Sequence, residues 1–206
     1  MRVMRMVALW ALLGAALGAE LNLPAPRTQG GKPLMEALRL RRTVRDFSAK
    51  PLPPQVISDL LWAAFGLNRA DGGRTAPSAW NQQEIDIYVF TQDGVFFFEA
   101  KPHRLLPLLS GDRRAWTGAD EFARAAPLTL VFVADLVKAE KSEAKDRLFY
   151  AYADAGYISQ NVYLFCASEG LGTVVHDAAE KAELARKMKL RPDQRILLSQ
   201  AVGYPK

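Results

Sequence analysis

The sequence predicts an α+β fold: a mixed or antiparallel sheet flanked by helices, with one long helix lying centrally or at a homodimer interface. Three observations predict it. Residues 143–169 contain no proline and one interior glycine, Gly156. At ~1.5 Å per residue they form a helix of roughly 40 Å, longer than a core of this size needs. In residues 85–98, Ile85, Ile87 and Val89 alternate with Asp86, Tyr88 and Phe90, and an Asp93-Gly94 turn leads into a second apolar run, the pattern of a β-hairpin. The elements then follow in the order helix, helix, hairpin, strand, long helix, strand, helix, strand, which is not the regular alternation of a parallel sheet.

Taken in order, residues 1–19 carry Arg2 and Arg5, an apolar stretch over 6–17 and the small residues Gly18 and Ala19, the three-part layout of a secretory signal peptide. The apolar run is shorter than the ~18 residues expected of a membrane helix. Export to a periplasm or to the outside is therefore expected, with membrane attachment only through an uncleaved leader. Residues 20–32, with Pro24, Pro26, Gly30 and Gly31, read as an extended arm, and residues 33–206 as the folded domain. Pro33 opens a short amphipathic helix through Leu34, Met35, Leu38 and Leu40. A second helix starts near Pro53-Pro54, places Val56, Ile57, Leu60, Leu61, Ala64 and Phe65 at helical spacing, and stops at Gly66. The polar loop 68–83 is too long for a mere connector in a compact domain.

Residues 105–109 and 119–125 read as short helices and 128–134 as a core strand. On the long helix the small residues Ala151, Ala153, Ala155, Gly156 and Ser159 permit close approach of another helix. Gly170 stops it, 173–175 form a strand, and Asp177 with Glu180 has capping-box spacing for a helix ending near Met188. Residues 195–202 close the chain as a strand.

Half of the 206 residues are hydrophobic, enough for one compact domain, and there is neither a repeat nor a low-complexity tract. A single cysteine, Cys166, excludes an intrachain disulfide or a cysteine-held metal cluster, and His103 and His176 alone argue against a histidine metal site. No metal is expected. The formal charge of +5 falls to +3 without the two leader arginines. That low charge, with no recognisable nucleic-acid-binding pattern, argues against a nucleic-acid partner.

The chemistry-bearing segment is Arg41-Arg42-Thr43-Val44-Arg45, where a helix hands over to extended chain. Guanidinium forks match phosphate oxygens and the threonine hydroxyl adds a neutral donor, so the cluster suits a monophosphate; a solvated basic surface is the plainer alternative. No serine-hydrolase elbow, zinc-protease motif, phosphate-binding P-loop or paired dinucleotide fingerprint is present. Cys166 falls on the buried-looking face of the long helix and reads as a packed small side chain.

Five motifs in order carry a resemblance that spans nearly the whole chain after the leader. They are Arg-Arg-Thr-x-Arg-x-Phe at 41–47, Ala-Pro-Ser-Ala-x-Asn-x-Gln at 76–83, Gln160-Asn161 in the long helix, Glu-Gly-Leu-Gly-Thr-Val at 169–174, and Val-Gly-Tyr-Pro at 202–205. Together they resemble the FMN-dependent nitroreductase superfamily. The hairpin with His103-Arg104-Leu105 behind it is similar to the subgroup of thiazole- and oxazole-forming dehydrogenases, although the lysine and tyrosine of azoline oxidation have no secure counterpart.

The resemblance implies a homodimer with FMN at the interface, each cofactor touched by both subunits. Arg41, Arg42, Thr43 and Arg45 match positions that hold the FMN phosphate and ribityl chain and reach the pyrimidine edge of the ring. Pro77, Ser78 and Asn81 match the loop supplied by the other subunit. Val175, His176, Asp177 and Ala178 match the strand-to-helix turn along the flavin ring, where a helix N-terminus at Asp177 would favour negative charge on reduced flavin. His176 is then a candidate donor of a proton or hydrogen bond to substrate. The implied activity passes hydride or electrons from a reduced donor, NAD(P)H or another, to a small organic acceptor such as a nitroaromatic or quinone by a ping-pong mechanism. The cofactor carries that chemistry and the protein orients it. A non-enzymatic protein holding flavin or another metabolite on the same scaffold is the competing reading, which turnover distinguishes. Trp80 replaces a smaller residue in the loop motif and could narrow the pocket or form a stacking wall.

Overall fold

The structure, a computed structural model, describes residues 21–178 and 180–206. The expected leader lies outside the described residues. Among them no helix is long and apolar enough to cross a membrane. Seven strands form one sheet: β1 (Leu21–Asn22), β2 (Ile85–Thr91), β3 (Gly94–Glu99), β4 (Arg104–Ser110), β5 (Leu128–Asp135), β6 (Gly172–His176) and β7 (Gln194–Gly203). Their order is β1-β4-β3-β2-β5-β7-β6, and every pairing is antiparallel. Among the described residues five α-helices flank it: α1 (Leu34–Leu40), α2 (Pro54–Phe65), α3 (Glu121–Ala125), α4 (Arg147–Glu169) and α5 (Lys181–Lys187).

The two central strands show why the sheet is covered on both faces. Side chains alternate across a strand, so Leu128, Leu130, Phe132 and Ala134 of β5 join Ile85, Ile87 and Val89 of β2 in a core with α2 and α4. Val131 and Val133, with Tyr88 and Phe90, point the other way onto Leu184 of α5 and onto Met188. Every residue of β5 is buried, which explains its unbroken apolar run.

α4 buries Ala151, Ala155, Ile158, Val162 and Cys166 at helical spacing against the first core. Its opposite side stays bare. Phe149 is 71% exposed, Tyr152 and Tyr157 are exposed too, and a Cβ placed on Gly156 would meet nothing within 4 Å. Gly170 ends the helix in the left-handed region, at φ +71°, where a side chain would be strained.

Several expectations are corrected. Residues 105–109 are strand, not helix. Pro107 has no N–H for a helical turn, and it sits at a register shift between β3 and β4, where a missing ladder donor is tolerated. The arm is extended, as expected, and docks at the sheet edge, where Leu21 and Asn22 pair with Leu105 and Arg104. Behind them Ser58 Oγ donates to the Pro24 carbonyl at 2.6 Å, and the Arg27 guanidinium grips Asp59. α4 begins at Arg147, four residues later than expected. α5 begins at Lys181 and not at Asp177, because Glu180 lies in the left-handed region, at φ 43°, and makes no side-chain cap. Asp177 pairs instead with the Lys181 ammonium at 2.6 Å. The expected helix N-terminus at the flavin-facing turn is therefore not formed there.

Candidate functional site

α1 closes with Arg41 as its cap, the Arg41 N–H donating to Ala37 O at 2.9 Å. The chain then runs out extended and is laid against β6 by Val44 N–H donating to Thr173 O at 3.0 Å. This places Arg41 and Arg42 on a 380 Å³ cavity lined by Arg39, Arg41, Arg42, Val44, Tyr163, Ala167 and Gly170 among others, with Arg45 next in the chain after Val44. Arg42, Thr43 and Arg45 are exposed. Among the described residues the guanidinium groups of Arg42 and Arg45 have no hydrogen-bond or ion-pair partner, while that of Arg41 lies 5.2 Å from the centre of the Tyr163 ring. Two such cations on a cleft, with Arg45 close by in the chain, form a donor set for an anion. Lys206, by contrast, pairs with Asp46 at 3.1 Å.

Tyr163, which the sequence reading did not single out, joins two parts of the predicted site. Its hydroxyl receives the Val175 N–H at 3.1 Å and lies 3.2 Å from Thr43 Oγ1. A buried tyrosine needs a partner for its hydroxyl. That requirement was the available signal, but its partners lie 12 and 120 residues away along the chain.

At the end of β6 the His176 ring packs edge-on against Phe122, with centroids 5.1 Å apart, and Gly118 makes room for it. A Cβ on Gly118 would meet His176 Cε1 at 2.8 Å. His176 Nδ1 lies 3.0 Å from the Asp177 carbonyl, which can only accept, so in the neutral ring Nδ1 carries the proton and Nε2 is an acceptor. Nε2 is buried and without a partner among the described residues. Burial holds the imidazole below its ordinary value, with the Asp177 carbonyl pulling weakly the other way. A neutral ring of this tautomer offers a base rather than a proton. Asp177 is exposed, and the Ala178 methyl belongs to the second core, so Ala178 could meet a ligand only through its backbone.

The loop that carries Pro77, Ser78 and Asn81 is held open by its own network. Ser78 Oγ accepts from Gln83 N–H at 2.9 Å, Asn81 Oδ1 accepts from Gln83 Nε2 at 3.0 Å, and Arg74 Nε donates to Gln83 Oε1 at 2.7 Å. Trp80, Asn81 and Gln83 all have positive φ, 51°, 54° and 52°, an unfavourable backbone that such a network must hold in place. Trp80 packs edge-on against Tyr150, centroids 4.9 Å apart, and remains half exposed.

Within one chain the two halves do not meet. The loop lies beside Tyr150 and Asp154 of α4, whereas the arginine segment lies beside Tyr163. At ~1.5 Å per residue these points are separated by roughly 14–20 Å along the helix.

The chain is similar to known proteins over most of its length. The sequence profile of the nitroreductase family matches residues 38–204. A candidate nitroreductase of Methanocaldococcus jannaschii is 29% identical over 192 residues, covering 88% of this chain and 96% of that protein. Among solved structures, a candidate nitroreductase from Ralstonia eutropha superposes with a TM-score of 0.87 at 40% identity, covering 93% of this chain and 91% of its own. A candidate nitroreductase from Desulfovibrio desulfuricans, solved in complex with FMN, shares the fold at a TM-score of 0.62 and 21% identity, over 85% of this chain and 88% of its own.

Proposed function

The chain belongs to the nitroreductase family, and from that membership we propose that it is a homodimeric FMN-dependent oxidoreductase. NAD(P)H or another reduced donor supplies the electrons, and a small acceptor such as a nitroaromatic or quinone takes them up in a two-step exchange. The observation that carries the reading is the guanidinium cluster. Arg42 and Arg45 are exposed and unpaired, Arg41 is held only over an aromatic ring, and Thr43 lies among them beside a cavity able to take a phosphate-bearing tail. These donors fit FMN: between them Arg41, Arg42, Thr43 and Arg45 would answer the phosphate and ribityl chain and the pyrimidine edge of the ring. When bound, FMN supplies the hydride-accepting and hydride-returning ring.

The remaining work falls to the protein. Val175, His176, Asp177 and Ala178 line the ring through their backbone, and His176 offers an acceptor at Nε2. The separation of the loop from the arginines supports the reading that Pro77, Ser78 and Asn81 serve the site of a second copy. The bare side of α4, with Phe149, Tyr152, Tyr157 and the open space at Gly156, gives that copy a surface on which to pack. Export by way of the leader belongs to the same proposal; cell fractionation with sequencing of the mature N-terminus tests it.

The decisive experiment is direct. Purified protein is expected to be yellow, to release FMN on denaturation, to elute as a dimer, and to be bleached by NAD(P)H and reoxidised by a quinone. The double variant R41A/R45A is expected to lose the flavin while staying folded. A wild-type protein that takes up no flavin would overturn the reading.

A further inference from the structure

We infer that Tyr163 is a positioning residue that fixes Thr43 as a hydrogen-bond donor toward the cofactor phosphate; this rests on the FMN reading above. The argument is one of proton direction. The phenol oxygen has two neighbours, Val175 N–H at 3.1 Å and Thr43 Oγ1 at 3.2 Å. A backbone N–H only donates, so the phenol oxygen accepts from Val175. Tyr163 is buried, 7% exposed, and among the described residues its own proton has one acceptor within reach, Thr43 Oγ1. Thr43 accepts that proton, and its own O–H has no other partner among the described residues. Thr43 is exposed on the segment that carries the three arginines, so its free proton is offered outward, into the cationic cluster.

The direction of this relay, from Val175 N–H through the phenol to the threonine, decides which ligand the site prefers. A hydroxyl alone can donate or accept and so discriminates poorly. One that already accepts from Tyr163 has its proton free and only one lone pair left, which biases it toward donating, and donors favour an anion. The same ring keeps the Arg41 guanidinium 5.2 Å from its centre, which aims a charge at the same place. One buried side chain thus ties together the end of α1, the end of β6 and the middle of α4.

Tyr163→Phe removes the hydroxyl but keeps the ring beneath Arg41. Affinities for FMN and for riboflavin, which lacks the phosphate, are measured by flavin fluorescence on the purified dimer stripped of cofactor. The expected result is a roughly tenfold fall in the FMN-to-riboflavin affinity ratio, the size of one charge-assisted hydrogen bond. Thr43→Ala is expected to give a similar fall, Thr43→Ser to restore the ratio, and the double variant Y163F/T43A to be no worse than T43A alone. Equal loss of FMN and riboflavin in Y163F, or additive losses in the double variant, overturns the inference while leaving the FMN reading intact. Thr43 is exposed, so T43A folds whatever Y163F does, and a T43A protein with the wild-type ratio overturns the inference by itself. Wild type that binds neither flavin overturns both.

Discussion

Asp154, buried in the middle of α4, accepts the backbone N–H of Ala79 through Oδ2 at 2.9 Å, so the long helix holds the loop that carries Pro77, Ser78 and Asn81. That loop has three non-glycine residues at positive φ, and a strained segment persists only where its surroundings hold it. Asp154→Ala strands a donor and frees the loop. It is expected to lower stability by about 1–3 kcal/mol in urea unfolding and to open the loop to limited proteolysis, whereas Asp154→Asn, which keeps an acceptor, should lose less. Unchanged proteolysis in D154A would show that the loop holds itself.

Glu84 lies beside that carboxylate, 1% exposed, with neither oxygen bonded among the described residues. Burial foremost, with Asp154 adding to it and Lys138 opposing, pushes its carboxyl up to about 7. The folded chain then holds a proton that the unfolded chain releases above about 4.5. Its contribution to stability is full below that point and is lost as pH rises through about 7. The effect is on the order of 2–3 kcal/mol. Glu84→Gln should abolish it, seen as a urea midpoint that no longer falls between pH 5 and pH 8 on this residue's account.

These carboxyl groups show how far the residues speak for themselves. Alternation on β2 and the apolar run of β5 were legible because these central strands meet a core on each face, and Arg41, Arg42, Thr43 and Arg45 were legible by type and spacing as a donor set for an anion. Leu105–Leu109 was not, since a five-residue apolar run fits helix or strand equally and only Pro107 argued against helix. The start of α5 was misplaced because Asp177 and Glu180 have the right spacing for a capping box, while the left-handed backbone at Glu180 is a tertiary outcome. The role of Tyr163 is not written in any local pattern, because its contacts join segments far apart in sequence. The buried pair Glu84 and Asp154 depends on a loop meeting a helix, which no local pattern encodes.

The N-terminal arm gives a third test. Arg27 binds Asp59 through its backbone N–H at 2.7 Å and its guanidinium at 2.6 Å, and Asp59 is 3% exposed. Gln55 supplies another bond to the same carboxylate at 2.9 Å. Arg27→Ala leaves the backbone bond and Gln55 but removes the charge, so a loss of about 1–2 kcal/mol is expected, screened in part because the arginine is mostly exposed. Hydrogen exchange at residues 23–27 should rise at the same time. An arm as protected in R27A as in wild type would assign its docking to the residue-27 backbone bond with the Ser58 and Gln55 bonds, and not to the guanidinium.

Cys166 is buried, and burial pushes its thiol far above the ordinary range. A thiol that stays protonated and enclosed is inert to alkylation. The native protein is expected to leave Cys166 unmodified by iodoacetamide at pH 8 and to react in 6 M guanidinium. Rapid native labelling would mean that α4 opens locally around Gly170.

His176 supplies the last prediction, because its slope opposes that of Glu84. Burial lowers the imidazole below 6.5, so the unfolded chain takes up a proton the folded chain refuses, and stability contributed by the neutral ring falls as pH drops below about 6.5. His103, also lowered by burial, acts in the same direction, although the nearby Asp59 moderates it. In wild type these losses are offset by the gain from Glu84; in E84Q they are not, and acidification from pH 7 to pH 5 should destabilise that variant visibly. Adding H176N to E84Q should flatten part of the slope, with His103 responsible for the rest. An NMR titration separates the two rings: the His176 midpoint is expected below 6.5 in wild type. It should move up toward 6.5 in Gly118→Ala, whose added methyl would press on Cε1 and drive the ring from its place against Phe122 toward solvent. A midpoint that ignores Gly118→Ala would show that the enclosure around Phe122 does not set the charge of His176.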